Sequence, residues 1–360
     1  MEEKVGGNEK GLLERTELQI EIQDIKVSLV RWGWKGEQQG DGSDKYLLVH
    51  GWLDNAASFE GVVGHLMRHP PFARSQLVAL DLPGHGHSSH SNRTYHLVDY
   101  VQTLLRIADA LGWTEFCLIG HSLGANICLL LSSTIPNRVK RLILIDSLGP
   151  FTSFSSSAHT NLQKALEWTP PPRRPRYPSL HDAAKRRSEA NVVGTLDYHS
   201  AKVLTERGCQ KIQSTEGHKE EYQWTYDPWL KQPAPFRFTA GGIISFIRKV
   251  ECPALLILAK DGILREYGVP WVLVSLSFTP LNIVFMVIFK VVKFICLLLP
   301  GWIFKDKVYR TVAVILAYIK RIYAFRKFEI KISETGGHHL HMTQAETVAR
   351  DIANWVSKYK

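Results

Sequence analysis

The fold of this chain is indicated most directly by residues 116–124, which read Phe116-Cys117-Leu118-Ile119-Gly120-His121-Ser122-Leu123-Gly124. The first four residues form a short apolar run, which is typical of a strand buried on both faces of a parallel sheet. The pattern G-x-S-x-G follows at once, and a helical pattern over 124–135 comes directly behind it. In a strand–turn–helix of this kind, glycines allow the close approach, and the serine hydroxyl is lifted beside a helix N-terminus. Ser122 is therefore the candidate nucleophile.

Short apolar runs without alternation recur along the chain, at 46–49, 77–80 and 142–145. An amphipathic pattern with aliphatic residues three and four apart predicts a helix over 95–111. Alternating strands and helices favour an α/β fold with a mostly parallel central sheet flanked by helices. Residues 18–32 alternate instead, which predicts an antiparallel hairpin at the start of the fold.

The strand pattern stops after residue 148 and returns only near residue 254. Between these points a proline-rich stretch at 170–175 interrupts helical segments, so residues 149–250 are predicted to be an inserted, mainly helical cap. The sequence thus divides into a polar leader at 1–17, a first part of the core at 18–148, the cap, and a second part of the core at 251–360.

The composition excludes several classes of protein. With 45% hydrophobic residues among 360, the chain is too apolar for global disorder. The cysteines show no C-x-x-C spacing, which argues against a disulfide-stapled scaffold and favours reduced thiols; they are Cys117, Cys128, Cys209, Cys252 and Cys296. The first 17 residues contain no apolar signal segment, so a cytoplasmic location is expected, with peroxisome or vesicle association as the alternative.

The formal charge of +10 permits attraction to polyanions, and six basic residues lie between 173 and 187. No nucleic-acid-binding motif accompanies them, so we interpret them as a solvated face of the cap and expect no nucleic-acid partner.

Two backbone N–H groups are candidates for an oxyanion hole. His50-Gly51-Trp52 ends the first parallel strand, and in such a fold the loop at this place supplies one of the donors. The other donor comes from the residue behind the nucleophile. The sequence therefore indicates the N–H groups of Trp52 and Leu123.

A serine needs a base, and the base needs an orienting acid. Asp261 lies just past the strand at 254–258 and is the favoured acid; Asp146, at the end of the strand at 141–145, is the alternate. The favoured base is His338, directly behind a glycine pair, with His339 and His341 as alternates. No Cys, Asp or Glu joins these histidines at ligand spacing, so we expect neither a metal nor a cofactor.

These motifs, in this order, resemble those of the α/β-hydrolase superfamily, and more narrowly its serine hydrolase-like, kraken-related branch. The likeness is carried by residues 50–59, 120–124 and 336–342. It implies an α/β-hydrolase fold with a helical cap, a Ser/Asp/His triad and a small-molecule substrate. Branches with an aspartate nucleophile are disfavoured, because Ser122 occupies that position.

One segment does not fit the pattern. Asp261 and His338 are 77 positions apart, whereas one crossover helix and its strand need about 30 residues. The stretch 267–289 contains no charge and is long enough to cross a bilayer at ~20 residues per span, but a single crossing would separate Asp261 from His338. We therefore expect residues 268–310 to be foreign to the fold, such as translated intronic sequence, with a membrane-dipping insertion or a buried segment as alternatives. Membrane association is expected only if this segment belongs to the protein.

Two functions follow as hypotheses. The first is a serine hydrolase that cleaves an ester-like bond of a small apolar substrate through an acyl-enzyme. The alternative is a non-catalytic binding protein of the same fold, whose triad is disrupted by the insertion at 268–310.

Overall fold

The computed structural model describes residues 13–34, 43–91, 93–190, 196–213, 220–266 and 317–359. The expectations for residues 1–12 and for the insertion at 268–310 therefore lie outside the described residues.

An eight-stranded sheet forms the centre of the fold, in the spatial order β1-β2-β4-β3-β5-β6-β9-β10. Its strands are β1 (Leu13–Ile22), β2 (Ile25–Trp34), β3 (Lys45–Val49), β4 (Gln76–Leu80), β5 (Phe116–His121), β6 (Val139–Ile145), β9 (Ala254–Asp261) and β10 (Phe328–Gly337). The six strands from β4 to β10 in this order pair in parallel. The mostly parallel α/β fold predicted from the apolar runs is confirmed.

The predicted hairpin is present as β1 and β2, which pair antiparallel around Gln23 and Asp24. Both turn residues have positive φ, 47° and 66°, as a tight hairpin turn requires. Strand β1 begins at Leu13 rather than at residue 18, so the end of the expected leader belongs to the sheet.

Helices cover both faces of the sheet. In chain order, the described helices are α1 (Glu60–Leu66), α2 (Leu97–Ala110), α3 (Leu123–Thr134), α4 (Ala158–Glu167), α5 (Leu180–Glu189), α6 (Tyr198–Gly208), α7 (Ala240–Ile247), α8 (Ile263–Glu266), α9 (Leu340–Thr343) and α10 (Ala345–Lys358), of which α4, α5 and α6 belong to the cap. On β3, Leu47 packs in the layer of α2, α3 and α7, whereas its neighbour Leu48 packs in the layer of α1 and α10. This alternation buries nearly every residue of the central strands β3, β4, β5 and β6 on one face or the other, which is why their runs are continuously apolar.

The cap differs from the predicted, mainly helical insertion in two respects. It contains a two-stranded antiparallel hairpin, β7 (Cys209–Gln213) with β8 (Glu220–Trp224). Both strands are largely polar and half exposed, so they lack the apolar run by which buried strands are recognised. Helix α7, moreover, packs Ile243 and Ile247 into the core layer of α3, so the core resumes about ten residues before position 251.

A buried ion pair joins the cap to the sheet. Arg207 of α6 lies 2.8 Å from the carboxylate of Asp81, which follows β4, and 2.6 Å from Glu17 of β1. Burial acts to raise the pKa of Asp81, but the Arg207 guanidinium outweighs it and holds that pKa below its ordinary value. Asp81 also accepts hydrogen bonds from the N–H groups of Ala56 and His87. The arginine therefore connects the cap to two loops at the same end of the sheet.

Within the described ranges, no helix has both the length and the apolar character needed to cross a bilayer.

Replacing Arg207 by Met should lower the free energy of unfolding by about 3–5 kcal/mol, because it leaves Asp81 buried without its cation. The matched control is Lys202→Met on the same helix. Its ion pair with Glu206 is exposed, and its removal should cost no more than about 0.5 kcal/mol. Urea unfolding followed by circular dichroism measures both values. Equal losses in the two variants would contradict the structural role of the Arg207 pair.

Candidate active site

Ser122 stands in a strained turn between β5 and α3. Its backbone has φ 51° and ψ −111°, outside the regions that a non-glycine residue ordinarily adopts. Such a conformation costs roughly 1–3 kcal/mol and persists only where the surroundings hold it. The N–H of Ser122 donates to the carbonyl of Ile145 on β6 at 3.0 Å, and α3 begins at the next residue. The turn is thus held between the sheet and the helix, with Ser122 only 9% exposed.

The two glycines of G-x-S-x-G are required by space. A Cβ on Gly124 would overlap the carbonyl of Val49 and lie 2.8 Å from the carbonyl oxygen of His50. A Cβ on Gly120 would overlap the backbone of Gly124 itself. The end of β3 therefore passes directly against the first turn of α3, and the loop that follows β3 begins with Gly51 against the His121 ring.

His338 is the histidine that faces Ser122. Its Nε2 lies 2.9 Å from the Ser122 Oγ. His338 comes directly after β10, where Gly336 turns the chain with a φ of 85°. Burial lowers the pKa of His338 well below its ordinary value, so the ring is neutral at neutral pH and its Nε2 is able to accept a proton.

The alternates His339 and His341 have other surroundings. His339 Nε2 lies 3.3 Å from Asp54, and His341 is fully buried with its ring against His121 and Phe59. Neither hydrogen-bonds to Ser122 in the structure, whereas His338 does.

The acid beside His338 is Asp146, and the expected pairing with Asp261 is corrected. Asp146 Oδ2 lies 2.7 Å from His338 Nδ1. Its carboxylate also accepts the N–H groups of Ala259 at 3.1 Å and Ile263 at 2.8 Å. Burial raises the pKa of Asp146 to about 7, and the two backbone donors act in the opposite direction. Asp261 is an exposed residue at the end of β9, in register with Gly337.

The physical reason for this exchange lies in the turn after β9. Residues 259–263 wrap around the Asp146 carboxylate, and a Cβ on Gly262 would overlap it. Asp146 itself has a φ of 49°, which turns its side chain from the end of β6 towards the neighbouring strand ends. The glycine after Asp261 was the available sequence signal, because it marks where another side chain approaches the backbone closely.

The two expected oxyanion-hole donors lie on either side of the elbow. Leu123 is the first residue of α3, where an N–H has no partner within its own helix. Trp52 follows Gly51, whose missing Cβ leaves room for the His121 ring. The indole N–H of Trp52 donates to the carbonyl of Leu230 in the cap at 2.8 Å. The Trp52 ring thus links the oxyanion loop to the cap, while the assignment of the donors stays a prediction.

A second buried cluster was not anticipated from the sequence. Asp54 lies within 3.3–3.5 Å of His339, Arg187 and His121. Asp54 belongs to the stretch at 50–59 that carried the family resemblance, but its partners lie 67 to 285 positions further along the chain. Only the fold brings them together.

The model of the alpha/beta hydrolase fold family matches residues 47–279, about two thirds of the chain. The chain belongs to this family. Among curated relatives, Serine hydrolase-like protein 2 of Homo sapiens is 31% identical over 257 residues, covering 67% of this chain and 76% of the relative. A probable serine hydrolase of Drosophila melanogaster is 30% identical over 244 residues, covering 65% of this chain and 69% of the relative. These matches place the chain in the serine hydrolase-like group of α/β hydrolases.

A serine hydrolase-like protein of Dictyostelium discoideum is 28% identical over 239 residues, covering 65% of this chain and 63% of the relative. The chain thus spans somewhat less than two thirds of that relative's length.

Solved structures of this fold align with the chain. A hypothetical protein of Pseudomonas aeruginosa aligns with a TM-score of 0.68 and 28% identity, covering 95% of this chain and 99% of the other. The thioesterase domain from the curacin biosynthetic pathway aligns with a TM-score of 0.65 at 20% identity, covering 94% and 99%. At that identity, the second likeness shows the fold alone.

Replacing Gly124 by Ala should destabilise the fold by about 3 kcal/mol, because the new methyl group meets the backbone of Val49 and His50, which cannot move aside. The control is Gly241→Ala in α7, where no described atom lies within 4 Å of the added Cβ. That change should be neutral or stabilise the protein by up to about 1 kcal/mol. Thermal unfolding compares them, and a Gly124→Ala variant as stable as the parent would refute the contact.

Replacing Asp146 by Asn should lower the rate at which a fluorophosphonate labels Ser122 by on the order of 10⁴-fold, because the His338 tautomer is no longer held. Asp261→Asn is the control and should change that rate by less than about twofold, since its side chain is exposed. The reverse ranking would show that Asp261 is the acid.

Proposed function

We propose that the protein hydrolyses an ester-like bond of a small apolar substrate through an acyl-enzyme formed on Ser122. The observation that carries this proposal is the continuous line of hydrogen bonds from Ser122 Oγ through His338 to Asp146, at 2.9 and 2.7 Å. A nucleophile, a base and an orienting acid in this geometry are the components of serine catalysis.

In the first half of the reaction, Ser122 Oγ attacks the carbonyl carbon while His338 Nε2 takes the hydroxyl proton. The Nδ1–H of His338 donates to Asp146, which in its ionised form stabilises the imidazolium that forms. The carbonyl oxygen becomes negative, and we assign its stabilisation to the N–H groups of Trp52 and Leu123. When the tetrahedral intermediate collapses, the proton on His338 passes to the leaving alcohol, and the acyl group stays on Ser122.

In the second half, water attacks the acyl carbon and gives a proton to His338. The bond from the acyl carbon to Ser122 Oγ then breaks, His338 returns its proton to that oxygen, and the acid is released. Each half uses the same base in opposite directions, so the cycle restores the starting protonation state.

The apolar character of the proposed substrate is supported by aromatic side chains of the cap. Trp229 stacks edge-on against Trp168 with ring centroids 5.6 Å apart. Its neighbour Leu230 accepts the hydrogen bond from Trp52, so this pair lies next to the oxyanion loop. Trp224 and Tyr226 form a second aromatic pair, with centroids 6.3 Å apart. Such rings bury apolar substrate surface well.

The alternative of a non-catalytic binding protein rested on a displaced His338. In the structure the His338 ring lies within hydrogen-bonding distance of both partners, which supports the hydrolase over that alternative.

Ser122→Ala should reduce hydrolysis of a short-chain p-nitrophenyl ester by at least about 10³-fold, because the attacking oxygen is removed. Ser133→Ala is the control on the same helix. Its hydroxyl donates within the helix to the carbonyl of Leu130, at 2.8 Å, so turnover should stay at the parental level. Undiminished turnover in Ser122→Ala would overturn the proposed function.

A further inference from the structure

A buried carboxylate lies behind the base and outside the triad. Asp54 is in the loop after β3 and is 3% exposed. Its three neighbours come from the elbow, from the loop of the base and from the cap: His121 at 3.5 Å, His339 at 3.3 Å and Arg187 at 3.4 Å. A buried charge with partners on three separate segments holds those segments in fixed relation to one another.

The first route from Asp54 to the base runs through His121. The Nε2 of His121 is 2.9 Å from the backbone carbonyl oxygen of His338. Because a carbonyl oxygen only accepts, Nε2 carries a hydrogen and donates it. The other ring nitrogen, Nδ1, faces Asp54 Oδ2, and the ring itself packs against the His338 ring with centroids 4.7 Å apart. His121 thus donates to the backbone of His338 and packs against its ring, while its Nδ1 lies in contact with the Asp54 carboxylate without a hydrogen bond between them among the described residues.

The second route runs through His339, which follows His338 in the chain. Burial lowers the pKa of His339 to about 4, so its ring is neutral at pH 7 and its Nε2–H donates to Asp54 Oδ1. The loop of the base is therefore held at two successive residues, His338 by its carbonyl and His339 by its side chain. The His339 side chain hydrogen-bonds to the Asp54 carboxylate, and the His121 ring that donates to the His338 carbonyl lies against the same carboxylate.

Arg187 of α5 supplies the opposite charge from the cap. Its side chain is 10% exposed, and its Nη2 lies 3.4 Å from Asp54 Oδ1. Burial acts to raise the pKa of Asp54, but His339, His121 and Arg187 outweigh it and hold that pKa well below its ordinary value. Asp54 is consequently an anion at neutral pH, behind the base rather than beside the nucleophile.

We infer that Asp54 is a positioning residue for His338, which it orients through His121 and His339, and that its ion pair with Arg187 couples this orientation to the cap. The inference rests on the proposed function of Ser122, His338 and Asp146. It adds to that function a link from the cap to the base.

The charges at the two ends of the ion pair act on His338 in opposite directions. Asp54 raises the pKa of His338 and Arg187 lowers it, within an environment in which burial is the largest influence and lowers it. The other groups that face the His338 ring are Ser122, Asp146, His121 and His339. The base loses function below its pKa, because a protonated Nε2 cannot take the serine proton. The acid limb of the pH profile, where labelling falls as His338 becomes protonated, should therefore move to lower pH when Asp54 is removed. It should move to higher pH when Arg187 is removed.

The test compares Asp54→Asn, Arg187→Met and the double variant in the full chain, with labelling of Ser122 by a fluorophosphonate measured across pH. Asp54→Asn should lower the labelling rate at pH 8 about tenfold, because the imidazolium is less stabilised and the base less well held. Its acid limb should move to lower pH and that of Arg187→Met to higher pH, and the double variant should lie between them. A purely structural role predicts slower labelling without shifts of opposite sign.

The matched control is Asp227→Asn. Asp227 is also a buried carboxylate, and it accepts a hydrogen bond from Tyr95 at 2.7 Å. Its replacement should lower the stability of the protein while leaving the acid limb in place. A second readout does not depend on activity: the downfield proton resonance of His338 Nδ1–H, assigned by its loss in Asp146→Asn. This resonance should broaden in Asp54→Asn and persist in Asp227→Asn.

The inference would be overturned if Asp54→Asn kept the labelling rate, the acid limb and the Nδ1–H resonance of the parent. It would also be overturned if the acid limb moved in the same direction in Asp54→Asn and Arg187→Met. If the parent chain itself is not labelled at Ser122 while the resonance behaves as expected, the proposed function fails and the positioning role stands.

Discussion

The contact between the first turn of α3 and the end of β3 constrains the rest of the site. Gly124 lies against the carbonyl of Val49, at a separation that admits no side chain. This proximity leaves the residue between strand and helix with a strained, positive-φ backbone, and Ser122 adopts it with φ 51° and ψ −111°. The cost is of the order of 1–3 kcal/mol, which the packing of two apolar layers against the sheet offsets. The strained turn places the Ser122 hydroxyl at the strand ends, where the other side chains of the proposed site converge.

Convergence at one end of a parallel sheet explains how residues far apart in sequence meet. β5, β6, β9 and β10 are successive neighbours in the sheet, and they end at Ser122, Asp146, Asp261 and His338 or immediately before them. Asp146 follows β6, the strand between β5 and β9. Its carboxylate reaches His338 because the end of β9 and the turn after it surround that carboxylate and donate two N–H groups to it. Burial raises the pKa of Asp146 and these donors lower it. The same carboxylate also forms the hydrogen bond to His338.

The cap is attached to this end of the sheet by buried charges as well as by apolar packing. Arg207 pairs with Asp81, and Arg187 pairs with Asp54, each across the boundary between cap and core. Buried ion pairs of this type are weak evidence for net stability, but they penalise any arrangement that separates them. They therefore specify where the cap sits, and in the case of Arg187 the specified contact leads to the loop of His338.

Much of the architecture follows from the sequence itself. Continuous apolar runs marked β3, β4, β5, β6 and β9, because a strand covered on both faces has no polar side to show. The elbow and the glycine pair before His338 were recognisable because the backbone there leaves no room for a Cβ or requires a positive φ, and only glycine meets both demands at low cost. Local constraints of this kind depend on residues adjacent in the sequence, so they can be predicted without knowledge of the fold.

The tertiary structure decided what depends on neighbours from elsewhere in the chain. Asp146 and Asp261 both follow apolar strands, and only the turn at Gly262 and the φ of Asp146 bring the former to His338. The polar hairpin of β7 and β8 forms by pairing with itself, without an apolar pattern. Asp54 acquires its partners from the elbow, the base loop and the cap, because a charge buried by folding must find its counter-charges in space and not in sequence.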